Sequence, residues 1–128
     1  MAKVLLIDDE EGFTNLVKAN LSLGGKHEVH AVNDPLQALD AALSFEPEII
    51  ILDLIMPGMD GGDVAARFRE KPELADIPII FLTALVSPSE VAPGTVAQSG
   101  DYPLLPKPVD INLLERAIKE NLRSSQGE

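Results

Sequence analysis

Five polar side chains stand where β-strands should end: Asp8, Asp9, Asp53, Thr83 and Lys107. Each comes after an apolar run: VLLI before the acid pair, EIII and Leu52 before Asp53, IPIIFL before Thr83, PLLP before Lys107. On strands lying side by side, these groups converge on one point at the carboxyl edge of a sheet. Unit charges about 4 Å apart repel by roughly 4 kcal/mol at an effective dielectric near 20, so neighbouring carboxylates there need a counter-charge. Mg²⁺ answers that need, because it is hard, takes oxygen ligands, and bridges one or two carboxylates to a phosphate. Three carboxylates, a hydroxyl and an ammonium therefore suggest a divalent cation and a phosphoryl group.

The elements that must position these groups alternate short apolar runs with segments of helical period, the pattern of a parallel α/β sheet. Strands are expected at 4–7, 29–32, 48–54, 77–82 and 103–105, with His30 placing the second at an edge. Helices are expected at 11–23, from Asp34-Pro35 to about 45, at 63–71 and from 110 to about 123. In the first, Phe13, Leu16, Val17, Asn20 and Leu21 share a face, and Gly24-Gly25 closes it. In the second, Asp34 and Pro35 read as N-cap and N1, with Leu36, Leu39 and Leu43 inward. Val64, Ala65 and Phe68 should face inward from the third. Segment 84–100 is irregular: Ser87-Pro88-Ser89-Glu90 has a capping-box pattern, but Pro93-Gly94 cuts it short, so a short or irregular fourth helix is expected. Right-handed crossovers then favour a doubly wound five-stranded sheet ordered 2-1-3-4-5, with Asp9 and Asp53 adjacent at its switch point. With 128 residues the chain suits one domain, read as 1–124 with a frayed tail at 125–128.

Composition narrows the partners. The chain is 45% hydrophobic and 24% charged, enough to bury a core. Its net charge of −11 argues against direct nucleic-acid binding and favours cations, basic surfaces and other proteins. Cysteine is absent, so there is no disulfide framework or thiolate metal site. MAKVLLIDDEE lacks a basic n-region and a long apolar stretch, and no run approaches the roughly 18 residues needed to span a bilayer, so no membrane partner and a cytoplasmic location are expected. Asp8-Asp9-Glu10-Glu11 could simply be an acidic turn favouring a helix N-terminus. Thr83 or Lys107 alone would be a solvated strand end, but the bland account needs all these coincidences at one sheet edge. Met56 and Met59 are read as packing and His27 and His30 as surface. No Gly-rich phosphate loop or Ser-His-Asp set is present.

VLLIDDEE, ILDLIMPGMDG, IIFLTA and LPKP, in that order, resemble the motif blocks of the receiver domain of bacterial two-component response regulators, over nearly the whole chain. The spacings agree: 53 − 9 = 44 between acids and 83 − 53 = 30 from Asp53 to Thr83. The resemblance implies a flavodoxin-like fold and a role for each matched residue. Asp53 would be the phosphoacceptor, taking a phosphoryl group from a histidine kinase, a phosphotransfer protein or a small phosphodonor. Asp9, Asp53 and the Ile55 backbone carbonyl would ligate Mg²⁺ (or Mn²⁺), with Asp8 acting through water. Lys107 and Thr83 would each contact a phosphoryl oxygen, and Lys107-Pro108 would be a cis bond.

The sequence also departs from the family pattern. Thr83 to Lys107 is longer than usual, with the excess in the proline-broken segment. Leu104 occupies the aromatic switch position, and Tyr102 is the nearest aromatic residue. Ile55 and Leu85, two residues after Asp53 and Thr83, are expected to slow self-dephosphorylation. The implied output is a phosphorylation-dependent switch, not a turnover enzyme. It would signal to a downstream target or output domain through the fourth helix, fifth strand and fifth helix, and homodimerisation there stays open. One rival is a receiver-like interaction module that no longer uses phosphate. The other is a Mg²⁺-dependent aspartyl phosphatase, which needs a second acid near its nucleophile where this chain has Leu54 and Ile55.

Overall fold

The computed structural model describes residues 2–83, 97–99, 102–107 and 109–126. The elements are β1 (Ala2–Ile7), α1 (Glu11–Leu21), β2 (His27–Val32), α2 (Ala38–Phe45), β3 (Ile49–Asp53), α3 (Gly61–Arg69), β4 (Ile79–Thr83), β5 (Ala97–Ser99), β6 (Tyr102–Pro106) and α4 (Ile111–Gln126). The sheet order is β2-β1-β3-β4-β6-β5. Its first five members are parallel, so the expected 2-1-3-4-5 order holds with β6 as the fifth strand. The short β5 is an addition that the sequence pattern does not announce. It pairs antiparallel with β6 at the sheet edge.

Strand alternation builds two cores. Leu5, Ile7, Ile50 and Leu52 face one way and pack with Ala38 and Ala42 of α2 and Val64, Ala65 and Phe68 of α3. Val4, Leu6, Ile49 and Ile51 face the other way, against Val17 and Leu21 of α1 and Leu114, Ala117 and Ile118 of α4. The central strands are apolar on both faces because helices cover both faces.

Several expectations need correcting. Leu16 is 62% exposed, and the buried face of α1 runs through Thr14, Val17 and Leu21 instead. Asp34 does cap a helical turn, its side chain accepting from the Leu36 amide, but that turn is a 3₁₀ segment over Pro35–Gln37. This rotates Leu36 to 70% exposure and turns Pro35, Ala38 and Ala42 inward. His27 is half-buried rather than at the surface, with its Nδ1 buried and unpartnered. The expected short helix beginning at Ser87, Leu85 and the Lys107-Pro108 peptide bond lie outside the described residues.

Helix ends explain how the loops reach the sheet edge. The Asp60 carboxylate caps α3 by accepting from the Asp63 amide at 2.9 Å. A Cβ on Gly61 would lie 2.8 Å from Leu54 Cα and 3.1 Å from the Asp53 carbonyl carbon, so only glycine lets α3 begin this close to the end of β3. The Gly61 amide donates to the Leu54 carbonyl at 2.7 Å.

Candidate functional site

Register brings the strand-end residues together. Ile7 pairs with Leu52, which sets Asp8 beside Asp53. Asp53 itself pairs with Leu82, which puts Thr83 one residue further along the adjacent strand. The Lys107 amide donates to the Thr83 carbonyl at 3.0 Å, extending the β4–β6 pairing to the lysine. Carboxylate oxygens of Asp8, Asp9 and Asp53 all lie within 4.8 Å of one another. The ammonium of Lys107 donates to Asp8 Oδ2 at 2.9 Å and lies 3.6 Å from Asp53 Oδ2. All five strand-end groups thus stand at one sheet edge.

The surroundings tune these groups. Asp8 and Thr83 are fully buried and Asp53 is 3% exposed. Burial drives the Asp53 carboxyl up to about 6, helped by the nearby Asp8 charge and opposed by Lys107 and the Ile55 amide. That amide donates to Asp53 Oδ1 at 3.3 Å. Burial also raises Asp8, against the Glu10 amide that donates to its Oδ1 at 3.0 Å and against Lys107. Burial pulls the Lys107 ammonium down, but its bonds to Glu10 and Asp8 outweigh burial and leave its pKa raised.

These residues fit a hard divalent cation. Two oxygens across an octahedral shell with bonds of 2.0–2.1 Å stand about 4.2 Å apart, a spacing the three carboxylates approach within their present span. Two of the three also carry raised pKa values, chiefly because burial strips water from their charged forms, and for Asp53 also because of the Asp8 charge; a bound cation would offset both effects.

Sequence reasoning missed four contributors. Glu10 Oε1 accepts from the Lys107 ammonium at 2.8 Å, and Phe13 lies under it, the ring centroid 4.6 Å from Nζ. Asn33 donates to the Asp8 carbonyl at 2.8 Å and to Thr14 Oγ1 at 3.0 Å. Asn33 comes directly after the last residue of β2, so the strand-end logic that found the other five could have found it. Of the expected switch residues, Leu104 is 7% exposed and packs in the core with Phe81, its register partner. Tyr102 pairs with Ser99 through the backbone. Ile55 is 54% exposed beside the acceptor.

The response regulator receiver domain model matches residues 4–119. The chain belongs to this family. The receiver domain is 33% identical over 123 residues to the DNA-binding dual master transcriptional regulator RpaA of Synechocystis, covering 96% of this chain and 50% of that protein. It is 33% identical over 126 residues to the response regulator MprA of Mycobacterium avium, covering 98% and 53%. It therefore spans about half the length of the curated relatives it matches. The Francisella response regulator 1452 receiver domain superposes with a TM-score of 0.79 at 25% identity, covering 98% of this chain and all of that one. Chemotaxis protein CheY4 of Vibrio cholerae gives 0.78 at 29% identity, covering 94% and 98%. Among the described residues no helix is long and apolar enough to cross a membrane.

Proposed function

We propose that this receiver domain is a phosphorylation-dependent switch that accepts a phosphoryl group on Asp53. The observation that carries the reading is Asp53 itself, nearly buried at the end of β3, with Asp8 and Lys107 beside it. An Asp53 oxygen attacks phosphorus in a phosphohistidine of a partner kinase or phosphotransfer protein, or in a small acyl phosphate. The new O–P bond forms as the N–P or O–P bond to the donor breaks, and the leaving group keeps the electron pair. Asp8, Asp9, Asp53 and the Ile55 carbonyl would hold Mg²⁺ or Mn²⁺, which supplies positive charge against the phosphoryl oxygens. Lys107, already 3.6 Å from Asp53 Oδ2, is placed to meet one of those oxygens, and the Thr83 hydroxyl another. Catalysis of this kind is positioning and charge neutralisation, which a pre-assembled sheet edge supplies.

The output is a change in protein contacts, to a target or to an output domain of a longer protein, and a cytoplasmic location belongs to the same reading. The −11 charge disfavours direct nucleic-acid binding by these 128 residues. DNA binding such as the cyanobacterial relative's name describes would then rest with another part of a longer protein. Burial of Leu104 against Phe81, where the family's switch residue is aromatic, favours a second reading, an interaction module that signals without phosphate.

Incubation with acetyl phosphate and Mg²⁺, followed by intact mass measurement, separates the two. The expected result is one phosphate adduct on the wild type and none on Asp53→Asn. An unmodified wild type, or an adduct that survives Asp53→Asn, overturns the proposal.

A further inference from the structure

The loop carrying the acid pair is held by a chain of hydrogen bonds that leads away from the site. Asp8 donates its amide to the Val32 carbonyl at 3.0 Å, stitching the loop to the end of β2. The next residue, Asn33, returns the link: one side-chain N–H goes to the Asp8 carbonyl at 2.8 Å and one to Thr14 Oγ1 at 3.0 Å. The Thr14 hydroxyl in turn donates to the Glu11 carbonyl at 3.1 Å, and its amide donates to the Glu10 carbonyl at 3.0 Å. Thr14 is fully buried. The brace therefore grips the loop at Asp8, Glu10 and Glu11, on both sides of Asp9, and anchors it to β2 and α1.

We infer that Asn33 and Thr14 are positioning residues for the cation site, a role that rests on the phosphoacceptor reading of Asp53. The physical reason is stiffness. Asp8, Asp9 and Asp53 crowd three carboxylates around the one Lys107 ammonium, and the repulsion that this single charge leaves uncancelled tends to open the loop when no metal ion is present. A loop free to open must be closed again at each binding event, which weakens affinity. The brace resists opening through backbone carbonyls, leaving the carboxylates free to act as ligands. Neither residue need touch the ion.

The test uses Thr14→Val, which keeps shape and removes the hydroxyl, Thr14→Ser, which restores it, and Asn33→Leu, which removes both amide donors at similar volume. Mn²⁺ dissociation constants are read from the free-ion EPR signal, Mg²⁺ constants from competition, and thermal midpoints from circular dichroism. Residues that orient metal ligands from outside the coordination shell typically affect affinity by 10–100-fold, so Thr14→Val and Asn33→Leu should bind about tenfold more weakly. Thr14→Ser should bind within twofold of wild type. The inference is overturned if Thr14→Val and Asn33→Leu melt earlier yet hold Mn²⁺ as wild type does, since the brace is then structural alone. It is overturned equally if Thr14→Ser binds as weakly as Thr14→Val. A wild type that binds neither ion would instead sink the phosphoacceptor reading on which the inference rests.

Discussion

The Lys107 ammonium stands closer to Asp8 than to Asp53: 2.9 Å from one carboxylate, 3.6 Å from the other. Before any phosphoryl group arrives, its strongest partners are thus Asp8 and Glu10. The ion pair with Asp8 is nearly desolvated, with side-chain exposures of 12% and 0%. Breaking such a pair by removing one member leaves an uncompensated charge and typically costs about 3–5 kcal/mol, less where water still reaches one side. Lys107→Met should therefore destabilise the metal-free protein by roughly 2 kcal/mol at pH 7. The penalty should shrink in urea titrations run below pH 5, where Asp53, which titrates near 6, is protonated. A cost that is unchanged with pH would show that lost packing, not charge, is responsible.

Asp53 sets a second pH effect. Its carboxyl titrates near 6 in the fold against 3.8 for the free side chain, so the native state binds the proton more tightly than the unfolded chain does. A raised acid makes the metal-free protein less stable as pH rises from about 4 through 6, and the loss is complete above the folded value. At roughly 1.4 kcal/mol per unit, the two-unit shift bounds the effect at about 3 kcal/mol. Asp53→Asn should accordingly stabilise the protein at pH 7 without Mg²⁺ by about 1–3 kcal/mol and have little effect at pH 4. Paired chemical denaturation curves at the two pH values decide it: equal effects at both would mean that Asp53 carries no such strain.

Gly61 supports a steric prediction. A methyl group there would press on Leu54 Cα and on the backbone of the acceptor residue, both rigid. Overpacking against backbone costs about 1–3 kcal/mol, and here the shift is transmitted to Asp53. Gly61→Ala should lower the thermal midpoint and slow acetyl phosphate labelling, whereas Gly62→Ala, whose nearest neighbour is the end of the Asp60 side chain at 3.3 Å, should do neither. Equal behaviour of the two variants would remove the steric argument.

Strand ends and helix spacing are the parts of this molecule that can be read directly from its residues. Asp8, Asp53, Thr83 and Lys107 can be placed because each terminates an apolar run on a central parallel strand, where the pleat and crossovers leave few alternatives. Leu16 and Leu36 are misplaced by periodicity because a leucine counts toward an apolar face wherever the spacing allows. Burial goes instead to Thr14, whose hydroxyl bonds the Glu11 carbonyl, and to small Ala38 and Ala42, which let α2 approach the sheet. Glu10 is invisible for another reason: its role depends on a partner 97 residues away, and no local pattern encodes such a pair. The antiparallel β5 falls in a stretch where proline and glycine signals hide any strand period.

Ile55 gives the last prediction, on the lifetime of the phosphorylated state. It is 54% exposed, and its amide is tied to Asp53 Oδ1, so the side chain sits at the mouth of the site without belonging to the core. Hydrolysis of an acyl phosphate needs a water held in line with the bond that breaks, and an alkyl group offers that water no hydrogen bond. An amide side chain at the same place could hold it. Ile55→Asn should therefore speed loss of the Asp53 phosphate several-fold, while exposure limits its stability effect to within about 0.5 kcal/mol. The decay of the intact-mass adduct after removal of the donor measures this directly. Should the wild-type adduct vanish within seconds and Ile55→Asn decay no faster, water access is controlled from elsewhere in the site.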